Sequence, residues 1–124
     1  MRMYIGGQWG DRDDKISVVN PYDSQVIDTV PRGTAADVDA AIASAVRGAE
    51  AMRKLTGYDR FLILRKAADL IEQRTDEFGR TITLEEGKTI FEGRAEAGRA
   101  VQTISTSGEE AKRIHGETVP LDGA

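Results

Sequence analysis

The chain has 124 residues, with 40% hydrophobic and 31% charged side chains, and its 17 basic and 21 acidic residues give a formal net charge of −4. This length suits one ordinary domain, and the composition is typical of a folded globular protein, which excludes a disordered or a membrane-embedded chain. The charges are mixed along the sequence without basic clusters, which argues against nucleic acids and membranes as partners.

The sequence contains no cysteine. This excludes a disulfide framework, a thiolate zinc site and a cysteine nucleophile within these residues. The opening residues are too short and polar for a signal peptide, and no apolar run approaches the length of a membrane span, so we expect a cytoplasmic protein.

The first third of the chain predicts two β-hairpins. Met3, Tyr4 and Ile5 precede Gly6-Gly7, and Gln8 and Trp9 follow. The two glycines can supply the positive φ of a tight turn, although a frayed terminus is the alternative. Residues 15–19 and 25–30 are β-prone and are separated by a run of Asn, Pro, Asp and Ser that predicts a turn.

The remaining residues predict four helices. Thr34 offers an N-cap to a helix over 35–53, whose apolar residues recur at helical spacing. A second helix ends near Arg74, and Thr75 is predicted to cap a third that stops at Gly87. The fourth is predicted from about Ile90 to Ile114, with its apolar stripe facing a core.

Few residues in this sequence indicate a catalytic or ligand-binding role. Gly87-Lys88-Thr89 does not form a phosphate-binding loop, because Ile82 stands where that motif requires glycine. His115 is the sole histidine and has no partner at a spacing that would support catalysis. The adjacent acids at 85–86 and 109–110 point in different directions on a helix and form no catalytic pair. A solvated face is therefore the favoured interpretation, with Glu85 left open.

Several separate phrases, in their order along the chain, resemble the opening of aldehyde dehydrogenases. They are Tyr4-Ile5-Gly6-Gly7-Gln8-Trp9, Val19-Asn20-Pro21-Tyr22-Asp23, Val26-Ile27-Asp28-Thr29-Val30-Pro31, Ala36-Asp37-Val38-Asp39-Ala40-Ala41, Arg60 with Ile63-Leu64-Arg65-Lys66-Ala67-Ala68-Asp69-Leu70-Ile71, Thr83-Leu84-Glu85-Glu86-Gly87-Lys88 and Gly116-Glu117-Thr118-Val119-Pro120. The resemblance covers essentially the whole chain.

The resemblance implies an α/β fold that forms the N-terminal, incomplete part of a Rossmann-like coenzyme-binding domain. It divides the chain into a strand region at 1–31, a helical region at 34–115 and a linker at 116–124 to a part that is missing. The parent enzyme would oxidise an aldehyde to a carboxylic acid with NAD or NADP, using a cysteine, an amide side chain and a glutamate from later segments. The chain alone is expected to be inactive and to bind no cofactor.

The resemblance also implies partners and one ion site. The partners are the remainder of the enzyme chain and a small aldehyde, and the parent is expected to be a homo-oligomer. Some family members hold a monovalent cation between a backbone carbonyl and an acid, here Val19 and Glu85. The stretch 54–60 is similar to subfamilies that act on small oxygenated aldehydes, such as lactaldehyde or phosphonate- and sulfonate-bearing aldehydes.

Two alternatives stay open at this point. The chain is either part of such an enzyme or a freestanding binding or regulatory module derived from the same family, without catalysis. An unrelated helical domain fits the periodicity but not the ordered phrases.

Overall fold

The computed structural model describes residues 1–123. Two small antiparallel β-hairpins precede four helices. In chain order, the strands are β1 (Met3–Ile5), β2 (Gln8–Gly10), β3 (Lys15–Val19) and β4 (Val26–Pro31), and the helices are α1 (Ala35–Arg53), α2 (Gly57–Glu72), α3 (Thr75–Glu86) and α4 (Ile90–Ala111). Both predicted hairpins and all four predicted helices are confirmed.

The first hairpin turns through Gly6 and Gly7, which have φ of 59° and 83°. Two consecutive residues with positive φ make the tight turn whose twist matches that of paired strands, and glycine adopts this conformation at no steric cost. Across the pair, the rings of Tyr4 and Trp9 lie with centroids 4.8 Å apart. The predicted alternative, a frayed terminus, is wrong.

The second hairpin pairs β3 with β4 and carries a bulge between Val18 and Val19. The turn between the strands is closed by the side chain of Asn20, whose Oδ1 accepts a hydrogen bond from the backbone N–H of Tyr22 at 3.0 Å. The Asn20 N–H also donates to the Gln25 carbonyl at 2.9 Å. The Asn-Pro sequence therefore turns the chain through the mechanism that its residue types predict.

The core lies between α2, α3 and α4, because α4 packs against both of the other two helices. Small residues permit the close approach: at Gly93 of α4, an added Cβ would lie 2.5 Å from the Gly79 carbonyl oxygen of α3. Ala68 of α2 and Ala97 of α4 are 2% and 3% exposed. Helix α1 makes its main contact with β1, and Arg60 of α2 donates a hydrogen bond from its guanidinium to the Met52 carbonyl of α1 at 2.9 Å.

Two predicted details need correction. Thr75 was predicted to cap α3, but Arg74 occupies the N-cap and no side chain caps this helix. The Thr75 hydroxyl instead donates to the Glu72 carbonyl at 2.8 Å, because α2 ends three residues earlier, at Glu72, and its last carbonyls need donors. Helix α4 ends at Ala111 rather than near Ile114.

Candidate functional site

The Asn20-Pro21 turn lies against the C-terminal end of α3. Gly87 ends that helix in the left-handed conformation, with φ of 75°, and a Cβ at this position would lie 2.8 Å from Cγ of Pro21. Both the conformation and the close approach therefore require glycine. Asn20, Leu84 and Lys88 line the cleft that results.

Lys88, at the edge of this cleft, is held by two carboxylates. Its Nζ lies 2.6 Å from Oε2 of Glu86 and 2.5 Å from Oε2 of Glu96. The hydrogen bonds to Glu86 and then to Glu96 raise the pKa of Lys88, and the same contact lowers the pKa of Glu96. Because two anions already neutralise this ammonium, the Gly87-Lys88-Thr89 segment does not suit the phosphates of a nucleotide.

A second, shallow cleft brings together the predicted ion-site residue Glu85 and the second hairpin. Glu85 of α3 lines it with Ile27 and Asp28 of β4 and with Met1. The Met1 ammonium donates to Oδ1 of Asp28 at 3.0 Å and to the Thr29 carbonyl at 2.9 Å. The hydrogen bond from the ammonium lowers the pKa of Asp28. A positive group is therefore accommodated in a cleft that two carboxyl side chains line.

Val19, the other predicted ion-site residue, lies at the bulge of the same hairpin. It directly follows Val18, and Val18 pairs with Asp28 of β4. Strand β3, which contains Val19, also contacts α3, which contains Glu85. The structure thus places Val19 and Glu85 on two elements in contact. Asp28 was missed as a candidate because nothing in its sequence surroundings indicates that it faces α3.

The other acidic pair, Glu109 and Glu110, and the histidine form contacts at the surface. Glu109 pairs with Lys112 at 2.7 Å, and Glu110 pairs with Arg113. Nδ1 of His115 lies 2.7 Å from the Arg113 carbonyl oxygen. These contacts fit the solvated interpretation of the two acids.

The structure also contains a partly buried ion pair, between Arg12 and Asp37, that the sequence did not predict. Asp37 is 8% exposed, and its carboxylate accepts hydrogen bonds from the Thr34 hydroxyl at 2.8 Å and from Nε of Arg12 at 3.2 Å. These bonds, chiefly those from Thr34, lower the pKa of Asp37. The pair ties the segment between the hairpins to the start of α1, which is a structural role.

Within residues 1–123, no three His, Cys, Asp or Glu side chains are grouped so that they could hold a metal ion. Among the helices of this same part of the chain, none is both long and apolar enough to cross a membrane.

Comparison with known proteins gives matches along nearly the entire chain. Residues 9–124 match the model of the aldehyde dehydrogenase family. The 3-sulfolactaldehyde dehydrogenase of Priestia aryabhattai is 41% identical over 123 residues, which are 98% of this chain and 25% of that protein. The glutarate-semialdehyde dehydrogenase of Pseudomonas aeruginosa is 38% identical over 119 residues, covering 94% of this chain and 25% of its own length.

Solved structures agree with these matches. An E. coli NADP-dependent enzyme superposes with a TM-score of 0.92 at 36% identity, over 99% of this chain and 26% of that one. Aldehyde dehydrogenase 21 from Physcomitrella patens, in complex with succinate, gives a TM-score of 0.92 at 35% identity over the same fractions. The chain therefore spans about a quarter of the length of the relatives it matches. From the family match and this shared fold, we conclude that the chain belongs to the aldehyde dehydrogenase family.

Proposed function

We propose that this chain forms the N-terminal scaffold of an enzyme that oxidises an aldehyde to a carboxylic acid with NAD or NADP. The observation that carries the proposal is the family match over residues 9–124, together with relatives about four times as long. The overall reaction consumes the aldehyde, water and the oxidised nicotinamide, and it releases the acid, the reduced nicotinamide and a proton. A cytoplasmic, homo-oligomeric enzyme with a Rossmann-like coenzyme domain is part of the proposal.

The chain's own residues support a structural role in that enzyme rather than a chemical one. It contains no cysteine that could attack the aldehyde carbon. Its Gly87-Lys88 segment is tied to Glu86 and Glu96, so it offers no free cation to a nucleotide phosphate. We therefore propose that the 124 residues alone are inactive and bind no coenzyme, and that both functions belong to the part of the enzyme beyond them.

The substrate class follows from the names of the relatives. Those with 37–41% identity are named for sulfolactaldehyde, glutarate semialdehyde and succinate semialdehyde. Each of these aldehydes carries an anionic group. We propose a small aldehyde with an anionic substituent as the substrate. Stretch 54–60 resembles subfamilies that act on small oxygenated aldehydes, among which are phosphonate- and sulfonate-bearing ones as well as the neutral lactaldehyde.

The test is an assay of the native polypeptide that contains this sequence. Nicotinamide reduction is followed with sulfolactaldehyde and succinate semialdehyde, and with neutral aldehydes of equal length as controls. We expect faster turnover of the anionic aldehydes and no reduction by the 124-residue chain. Reduction by the short chain would contradict the scaffold role, and an inactive native polypeptide would favour a freestanding, non-catalytic module.

We also propose that the carbonyl of Val19 and the carboxylate of Glu85 hold a monovalent cation. Support comes from the contact between β3 and α3 and from the Met1 ammonium in the adjoining cleft. The test compares the Tm of the chain in potassium chloride and in choline chloride, with Glu85→Gln and the surface control Glu50→Gln. Stabilisation by potassium that Glu85→Gln alone abolishes is expected, and equal Tm values in the two salts would contradict the site.

A further inference from the structure

A cleft opens between the end of α3 and the start of α4. Arg80, Thr83 and Leu84 line it from α3, and Ile90 and Arg94 line it from α4. Its volume is about 490 Å³, which lies within the range of about 300–1,000 Å³ that is typical of small-molecule sites. The cleft is therefore large enough for a small organic ligand.

Part of the lining of this α3–α4 cleft is apolar. Leu84 and Ile90 are 44% and 39% exposed, although they are large aliphatic side chains on helices that pack together. The hydroxyl oxygen of Thr83 is buried within the described part of the chain, so a ligand in the cleft cannot reach it. The cleft thus offers an uncovered hydrocarbon surface, which favours a ligand with a carbon chain.

Two contacts fix the side chain of Arg94. Its stem lies over Gly79, where an added Cβ would be 2.8 Å from Cγ of Arg94. Its Nε lies 2.8 Å from Oδ1 of Asp76. This contact engages one of the five N–H groups of a guanidinium, so the others can donate to a ligand. A donor that is already held in position loses less conformational entropy when it binds.

Arg80 gives the cleft an excess of positive charge. Its side chain is exposed, and no ion pair among residues 1–123 includes it. Arg94 is balanced by Asp76, so the two guanidiniums and this carboxylate leave one positive charge, on a chain whose net charge is −4. A monovalent anion would neutralise the positive charge of the cleft.

We propose that the α3–α4 cleft binds the anion of a short aliphatic carboxylic acid. The guanidiniums of Arg94 and Arg80 bind the carboxylate, and the carbon chain lies on Leu84 and Ile90. A guanidinium presents parallel N–H donors that match the two oxygens of a carboxylate. The inference goes beyond the proposed function and does not rest on it, because it uses only side chains of α3 and α4.

Inorganic phosphate and neutral alcohols are poorer occupants of the cleft. The oxygens of phosphate could accept hydrogen bonds from the two arginines, but phosphate would leave Leu84 and Ile90 in contact with water. An alcohol has the carbon chain and no charge for the arginines to bind. The combination of an anionic head and a short chain therefore distinguishes the proposed ligand from both.

Isothermal titration calorimetry of the native polypeptide that contains this sequence tests the site. The probes are sodium butyrate, n-butanol and inorganic phosphate. Arg94→Met and Arg80→Met each remove a cation of the cleft and keep an unbranched stem. Arg65→Met is the matched control, because Arg65 of α2 also contacts a carboxylate through Nε, that of Asp69 at 3.0 Å, and does not line the cleft.

We expect butyrate to bind more tightly than n-butanol or phosphate. Arg94→Met should weaken the binding of butyrate at least about tenfold and Arg80→Met at least about threefold, because each variant loses a hydrogen bond between charged groups. Arg65→Met should leave the affinity unchanged. Phosphate that binds as tightly as butyrate would overturn the proposal. Equal effects of the three substitutions, or no binding of butyrate, would overturn it as well.

Methyl NMR gives a readout that does not depend on the folding of the variants. In the unsubstituted protein, butyrate should shift the methyl signals of Ile90 to saturation. The signals of Ile63 on α2 should stay in place, because Ile63 is exposed and lies outside the cleft. Shifts of equal size at both residues, or shifts that do not saturate, would contradict the site.

Discussion

At the scale of single residues, three threonine–acid pairs close the N-termini of α1, α2 and α4. In each pair the threonine side chain accepts from the backbone N–H of the acid, and the acid accepts from the threonine N–H. The pairs are Thr34 with Asp37, Thr56 with Asp59, and Thr89 with Glu92. Such reciprocal bonds satisfy donors that the start of a helix leaves free.

Removal of the cap on α4 should destabilise the bundle. Thr89→Ala is expected to lower the free energy of unfolding by about 1 kcal/mol, because α4 contacts both α2 and α3. Thr103→Ala in the same helix is the control, since its exposed hydroxyl bonds only the Arg99 carbonyl. Urea unfolding gives the free energy of unfolding of both variants. A loss as large for Thr103→Ala as for Thr89→Ala would contradict the stabilising role of Thr89 as the N-cap of α4.

The same caps predict a loss of stability in acid. The hydrogen bonds from Thr89 lower the pKa of Glu92, and those from Thr56 lower the pKa of Asp59. A lowered folded-state pKa means that the unfolded chain takes up protons first. The two carboxylates therefore make their full contribution to the free energy of unfolding above the ordinary carboxyl pKa of about 4. That contribution declines as the pH falls below this value.

Glu92→Gln tests this linkage. The amide can still bond the cap but cannot titrate, so the variant should lose less stability than the unsubstituted chain between about pH 7 and pH 3.5. Urea midpoints at the two pH values measure the difference. An unchanged pH dependence would show that Glu92 does not contribute to it.

Single-residue contacts could be predicted from the sequence where both partners lie a few residues apart. Thr34 and Asp37 lie three residues apart, and their capping could be predicted from the spacing alone. The assignment of Thr75 as the cap of α3 is wrong. Whether its hydroxyl bonds an N–H of α3 or a carbonyl of α2 depends on the residue at which α2 ends, and the local sequence does not define that residue. The ion pair between Arg12 and Asp37, 25 residues apart, has no local signal.

At the scale of elements, the crossing of α3 and α4 depends on two glycines. A Cβ on Gly93 would lie 2.5 Å from the Gly79 carbonyl oxygen and 3.0 Å from the Thr83 hydroxyl, which is buried without a hydrogen-bond partner within residues 1–123. One Cα hydrogen of Gly93 points at these oxygens, which is the geometry of a weak C–H···O contact. The helices approach closely because neither glycine has a side chain.

Gly93→Ala should therefore force the helices apart. Overpacking costs about 1–3 kcal/mol and outweighs the gain in helix propensity of at most about 1 kcal/mol, so we expect a lower Tm. Gly98→Ala is the control in the same helix, because no atom lies within 4 Å of its added Cβ. That control should raise the Tm, and a rise for both variants would show that the crossing tolerates a side chain.

The existence of each helix could be predicted from apolar spacing, and the bounds of α1 agree with the prediction. The crossing could not be predicted. Glycines within a helix usually lower confidence in the assignment, and only the tertiary structure shows that Gly79 and Gly93 face each other.

At the scale of the whole molecule, the chain has too small a core for its length. Ala68 and Ala97 are its buried hydrophobic residues within the described part, and its surface exceeds that of a compact monomer by about 3,000 Å². Sequence composition could not show this, because apolar residues make up an ordinary 40% of the chain. Many of the large apolar side chains are exposed, among them Val38, Ile42 and Val46 of α1 and Leu62, Ile63 and Leu70 of α2.

The family resemblance could be derived from ordered phrases, and the family match confirms it. The ion site at Val19 and Glu85 stays a prediction. The fold of the segment and its family membership thus followed from sequence, whereas the uncovered face of α1 needed coordinates, because it depends on which side of the helix the hairpin occupies.

The most direct test of the central claim is the intact mass of the native polypeptide that contains this sequence. The 124 residues have a mass of 13.5 kDa, and relatives that they match over a quarter of their length predict a chain about four times heavier. A mass in that range, with a cysteine-containing peptide after residue 124, is the result we expect. A native mass of 13.5 kDa would contradict the enzyme scaffold and leave the freestanding module as the account of this protein.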